Sequence, residues 1–156
     1  MPASKLKEYL DGRKIPYEVL THPKAFTSQG VAAALHVSGR EFAKAVILKT
    51  DAGKLIMVVI PGPRHVNLDL VKDLVGAREV ELAREDEFAS LFPECELGAE
   101  PPFGNLYNLP VYVDESLRKD PEIVFNAGTH IETIRMKYAD FERLVDPVVA
   151  PLSRAA

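Results

Sequence analysis

The chain has 156 residues, of which 47% are apolar and 27% charged, and a net charge of -4 at neutral pH. That length suits one domain, residues 1–156, with a continuous apolar core, and the aliphatic content excludes a disordered chain. The lone cysteine, Cys95, excludes an internal disulfide and predicts a cytosolic home, while the polar N-terminus holds no apolar run long enough for a signal peptide or a membrane span.

In chain order, "SKLKEYLDGRK" places Leu6, Tyr9 and Leu10 on one helical face behind Ser4 as N-cap, and predicts an opening helix. "YEVL" (17–20) predicts a strand. In "THPKAFTSQGVAAALHV", Pro23 blocks a helix, Thr27 or Ser28 can cap one, and the alanine-rich stretch predicts the second helix. "AKAVILKT" (43–50) and "LIMVVI" (55–60), joined through Gly53, predict a hairpin that is apolar on both faces and hence central in a covered sheet. "NLDLVKDLVG" predicts a helix between Asn67 and Gly76, "AREVEL" a strand, and "REDEFASLF" an acidic short helix ended by Pro93. "PVYVD" reads as a strand, "ESLRK" as a helical turn, "EIVFNAGTHIETIRM" as two strands around a turn, and "YADFERLV" as a last helix. Strands and helices mix without a regular βαβ repeat. The prediction is an α+β domain: one compact unit with a mixed, largely antiparallel and partly barrel-like sheet flanked by short helices.

Charge is unevenly spread. Residues 1–72 carry 11 basic and 6 acidic side chains, whereas residues 73–156 carry 8 basic and 17 acidic ones. A basic face built from the first half could bind phosphates, although scattered solvated charge accounts for the same numbers.

Three features can carry chemistry. Strand alternation puts Lys44 on one face with Val46 and Leu48, where its ammonium either snorkels to solvent or anchors a phosphate or carboxylate at a cleft's rim. His130 follows the glycine-containing turn in "NAGTH", a place for a general base, a steric gate or an ordinary satisfied histidine. The segment "GAEPPFG" (98–104) fixes φ at Pro101 and Pro102 between permissive glycines, so it can hold backbone groups against a ligand at small entropic cost, or serve as a stiff connector.

Other chemistries find no support. His22, His36, His65 and His130 lie far apart without metal-binding spacing, and no P-loop, dinucleotide fingerprint or nucleophile elbow is present, so no metal and no cofactor is expected. Cys95 between two glutamates makes a poor nucleophile, because the acids disfavour its thiolate.

Taken together, "THPKAFTSQGVAAALHVSGREFAKAVILKT", "GAEPPFG" before "LPVYVDESL", and "FNAGTHIETIRMKYADFERLV" resemble the YbaK/EbsC-type aminoacyl-tRNA deacylases, the prolyl-tRNA synthetase-associated editing domain family, over about residues 4–145. The resemblance implies hydrolysis, in trans, of the ester joining a wrong small amino acid to the 3′ end of a tRNA, with proline tRNA the expected species and a synthetase a further partner. It implies that Lys44 is the family's hairpin lysine, that Gly98 to Pro102 is its G-x-x-x-P loop, and that Ala127, Gly128 and Thr129 form its C-terminal turn. His130 stands where some alanine-removing members carry a histidine. Lys44, Gly98, Gly128 and His130 are the implied catalytic set, and His22, Thr27, Ala45, Pro101, Pro102, Phe103, Ala127 and Thr129 the implied substrate-binding set. An aminoacyl ester is already activated, so an oriented water and a stabilised oxyanion suffice, and amides near Gly98 or Gly128 are candidate donors.

Two departures bear on substrate identity: Ala45 stands where the family often has a polar residue, and "NAGTH" is less glycine-rich than many such turns. Two competing functions stay open. One is a non-catalytic module holding tRNA, a nucleotide or a protein partner in the same cleft, and the other a relative acting on small acyl esters.

Overall fold

The computed structural model describes residues 4–22 and 42–155. Four α-helices are present among them: α1 (Ser4–Gly12), α2 (Leu68–Val75), α3 (Glu85–Phe88) and α4 (Tyr138–Val145). Ten strands accompany them: β1 (Tyr17–Thr21), β2 (Ala43–Thr50), β3 (Leu55–Pro61), β4 (His65–Val66), β5 (Val80–Leu82), β6 (Val111–Asp114), β7 (Glu122–Asn126), β8 (Glu132–Lys137), β9 (Val148–Ala150) and β10 (Ser153–Arg154). They form a five-stranded sheet in the order β5-β2-β3-β6-β9, a three-stranded sheet β1-β8-β7 and the pair β10-β4. The architecture is α+β, as the element order predicts, and among the described residues no sheet closes into a barrel. The helix predicted around Thr27 and Ser28 lies outside the described residues.

The β2–β3 hairpin is the spine of the larger sheet. Lys44 faces Ile60 and Leu48 faces Ile56 across an antiparallel register, with Gly53 in the turn at φ 82°. Apolar side chains on both arms fill two cores. Ala43, Ile47, Met57 and Val59 join the main core, built with Phe103, Phe125, Ile134 and Phe141. Leu48, Ile56, Val58 and Ile60 turn the other way, to a smaller core closed by Val71 of α2 and Leu152. A strand covered on both faces reads as a near-continuous apolar run, which is why this hairpin is so visible in the sequence.

α2 has the ends that its sequence signals. The Asn67 side chain accepts from the amides of Asp69 and Leu70, both at 3.1 Å, and Gly76 adopts the left-handed conformation at φ 70°. "AREVEL" contributes only Val80–Leu82 to the sheet, because the Arg78 and Glu79 amides turn to the Asp51 carboxylate at 3.0 and 3.3 Å. The C-terminal strands carry no sequence signal: the buried Asp114 carboxylate draws them in, accepting from the Leu152 and Ser153 amides at 2.8 and 3.0 Å. Burial pushes that carboxyl up, but hydrogen bonds from Ser116, Leu152 and Ser153 outweigh it and hold Asp114 below the usual carboxylate range.

Candidate functional site at the β2–β7 junction

Besides sharing the main core, the two larger sheets are joined by a parallel bridge between Phe42 and Val124. Both side chains are fully buried. On β2 the odd residues 43, 45 and 47 face the main core, as do residues 123 and 125 of β7 and Ala127 just after it. Alternation therefore puts Phe42 and Lys44, and likewise Val124 and Asn126, on the opposite face. Lys44 and Asn126 each lie two residues past the bridge, so they stand on a common face where the two strands part.

Lys44 is half-buried, and its Nζ donates to the Gly62 carbonyl at 3.0 Å. Burial moves its pKa down from the ordinary lysine value. One carbonyl engages a single proton of the ammonium, which has three to donate.

Asn126 joins this face to the glycine loop: its Nδ2 lies 3.5 Å from the Gly98 carbonyl, a long hydrogen bond. Its Oδ1 is buried and accepts no hydrogen bond. Gly98 adopts φ 85°, which a side chain resists, and a Cβ there would sit 3.5 Å from His130 Cε1. The loop and the turn are cross-laced by backbone: the Gly128 amide donates to Ala99 O at 2.9 Å, and the Glu96 amide to Gly128 O at 2.7 Å. The Glu96 carboxylate accepts the His130 amide at 2.6 Å. His130 Nε2 lies 2.7 Å from Leu97 O, and since a carbonyl can only accept, Nε2 carries the proton. Gly98, Gly128 and His130 thus form one assembly, and Asn126 connects it to the face that bears Lys44.

The other candidates divide by surroundings. Ala45 lies across the strand from Lys44 and packs against the main core. Pro101, Pro102 and Phe103 are buried, and the Phe103 ring centroid stands 5.6 Å from Phe125 and 5.4 Å from Phe141, so this stretch pins the glycine loop to the core. Ala127 is buried with its amide on Glu132 O at 3.1 Å, and Thr129 Oγ1 donates to the Glu132 carboxylate at 3.4 Å. His22, buried at the end of β1, is held by its amide on Ile131 O at 2.9 Å. Thr27 lies outside the described residues.

The amides offered by the sequence for an oxyanion are engaged: that of Gly128 as above, and that of Gly98 with the Glu100 carboxylate at 2.8 Å. Burial pushes the Glu100 carboxyl up, against the lowering effect of the Gly98, Glu100 and Ala99 amides. Cys95 is unsuited to attack, since burial pushes its thiol up to about 11. Among the described residues no cluster of three metal-ligating side chains occurs, and no helix is long and apolar enough to cross a membrane. Asn126, Glu96 and Glu100 are the site residues that the sequence reading missed. The signal for Asn126 was available only as its place at the head of the "NAGTH" turn.

Known proteins show where the chain belongs. The chain is similar to the proline–tRNA ligases of Sulfurihydrogenibium sp. (strain YO3AOP1), 34% identical over 114 residues, and of Bacillus mycoides (strain KBAB4), 31% identical over 100 residues. These matches cover 72% and 64% of the chain, which spans less than a fifth of the curated relatives' length, 19% and 17%. Among solved structures it superposes on the hypothetical protein APE2540 with a TM-score of 0.87 at 28% identity, covering 96% of this chain and 99% of that one. A candidate trans-editing enzyme for prolyl tRNA synthetase shares the fold with a TM-score of 0.84 at 24% identity, covering 98% of this chain and 97% of that one. The model of the aminoacyl-tRNA editing domain matches residues 22–144, a span that takes in Lys44, the glycine loop and the "NAGTH" turn, and on that match the chain belongs to the aminoacyl-tRNA editing domain family.

Proposed function

We propose that this protein is a trans-editing deacylase that hydrolyses the ester of a proline tRNA mischarged with a small amino acid. What supports the reading is the junction itself: strand alternation from the Phe42–Val124 bridge puts Lys44 and Asn126 on the same side of their strands, and Asn126 reaches the Gly98 loop, on elements far apart in the chain. Lys44 grips the phosphate of the terminal adenosine, and its partial burial strengthens that attraction over what water would allow. The Gly98 loop and the Gly128 turn wall the amino-acid pocket, with His22, Ala45, Ala127 and Thr129 shaping its lining and Pro101, Pro102 and Phe103 its backing. His130, its Nε2 proton committed to Leu97 O, acts as a gate rather than a base. Water is the attacking group, in keeping with the raised thiol of Cys95.

The test is deacylation of proline tRNA charged with Ala, Ser, Thr or Cys. Wild-type protein clears at least one of them, and Lys44→Ala lowers the rate by about 10²-fold or more, the scale of losing one group that stabilises charge at the reacting centre, with an unchanged circular dichroism spectrum. Survival of every charged tRNA would defeat the enzyme reading.

A second reading is favoured by the engaged amides of Gly98 and Gly128: a binding module that holds charged tRNA or a nucleotide without turning it over. Tight, salt-dependent tRNA binding with no ester loss in the same assay selects it.

A further inference from the structure

The face of β2 that bears Lys44 continues into a groove of about 370 Å³ between β2, β3, the β4–β10 pair and the start of α2. Its floor is aliphatic, with Val46 and Ile60 at the bottom and Leu68 and Leu82 at the rim. Leu82 is 60% exposed and Leu68 37%, so the rim offers apolar surface to solvent. Two basic side chains flank this floor from different elements: Lys44 on β2, and Arg154 on β10 opposite His65 of β4. No acidic side chain is among the described residues that line it, and among the described residues no ion pair involves Lys44 or Arg154.

We infer that this groove is a binding site for one nucleotide of single-stranded RNA, its base on the aliphatic floor and its phosphodiester between Lys44 and Arg154. The volume lies within the range of small-ligand clefts, about 300–1,000 Å³. A free phosphate would make no use of the floor, and a neutral apolar ligand none of the cations. A base in a duplex keeps its faces stacked, so the unpaired strand is the form that fits. The inference rests on the deacylase reading in one respect: because Lys44 serves both sites, the nucleotide is the unpaired one immediately preceding the aminoacylated terminus.

The experiment measures anisotropy of a labelled, uncharged RNA hairpin with an unpaired 3′ tail, against the same hairpin with a blunt end, over a salt series. Wild-type protein prefers the tailed hairpin. Arg154→Ala weakens its binding about 3- to 10-fold and lowers the slope of log affinity against log salt by about 0.7, the single-strand value for one phosphate contact. Arg154→Lys keeps most of both. Indifference of the wild type to the tail, or an Arg154→Ala protein with wild-type affinity and slope, overturns the inference. So does concentration-dependent self-association that Leu82→Ser abolishes without loss of RNA affinity. Deacylation measured on the same preparations separates the two readings. Turnover with KM unchanged in Arg154→Ala leaves the deacylase standing without the groove, while the expected binding pattern with no turnover leaves the groove without the deacylase.

Discussion

Glu100 folds back over its own loop, accepting the Gly98 amide while 9% of its surface remains exposed. Its pKa is raised in the folded chain, chiefly by burial, so the native state binds this proton more tightly than the unfolded state does. Stability therefore falls as pH rises from the unfolded carboxyl value, about 4.3, through the folded one, and the penalty is complete only above the folded value. Glu100→Gln keeps an acceptor for the Gly98 amide and removes the buried charge. Thermal melts should give this variant a higher Tm than wild type at pH 7, by a few degrees if the relief is about 1 kcal/mol, and the gap should close below about pH 4. A variant less stable at pH 7 would mean that the charge itself holds the loop. At this scale the sequence exposes groups whose type is distinctive, such as Lys44, the two prolines and His130. It hides Asn126, whose position is set by the contact of Phe42 with Val124, a pairing that no local spacing announces.

Elements are legible in proportion to how much of their structure is local. α2 has its cap, its stop and its amphipathic face within ten consecutive residues, and "NLDLVKDLVG" predicts it completely. β9, β10 and β4 are short, β9 pairing parallel with β6 and β10 antiparallel with β4 beside the distant Asp114 carboxylate, so no local pattern marks them. The same contrast governs mutational effects. Asn67→Ala removes both cap bonds of α2, which supports the smaller core through Val71 and frames the groove through Leu68. The expected cost is about 1 kcal/mol, or ~2–4 °C in Tm for a domain of this size. RNA affinity should change little, because neither Lys44 nor Arg154 depends on the cap. An affinity loss as large as that of Arg154→Ala would place the groove's organisation in α2 instead.

For the molecule as a whole, β2 ties everything together. Its Ala43, Ala45 and Ile47 pack into the main core, its Val46 and Leu48 into the smaller core, and Phe42 just before it bridges to β7. Two cores that share one strand cannot lose their packing independently, so the described structure should unfold in a single cooperative transition. Ile47→Ala and Leu48→Ala probe this from opposite sides of the strand, since these neighbours are 5% and 0% exposed in different clusters. Each truncation should cost about 2–5 kcal/mol, the range for deleting a buried Ile or Leu side chain. Each should move one common transition, seen at the same midpoint by far-ultraviolet circular dichroism and by tyrosine fluorescence. For the proposed function the consequence is rigidity at Lys44, which sits on a strand clamped from both faces. If Leu48→Ala instead produces an early transition in one probe while the other stays at the wild-type midpoint, the smaller core unfolds alone. Lys44 would then stand on a hairpin able to loosen from α2 and β10, and the groove would be a transient feature of the surface.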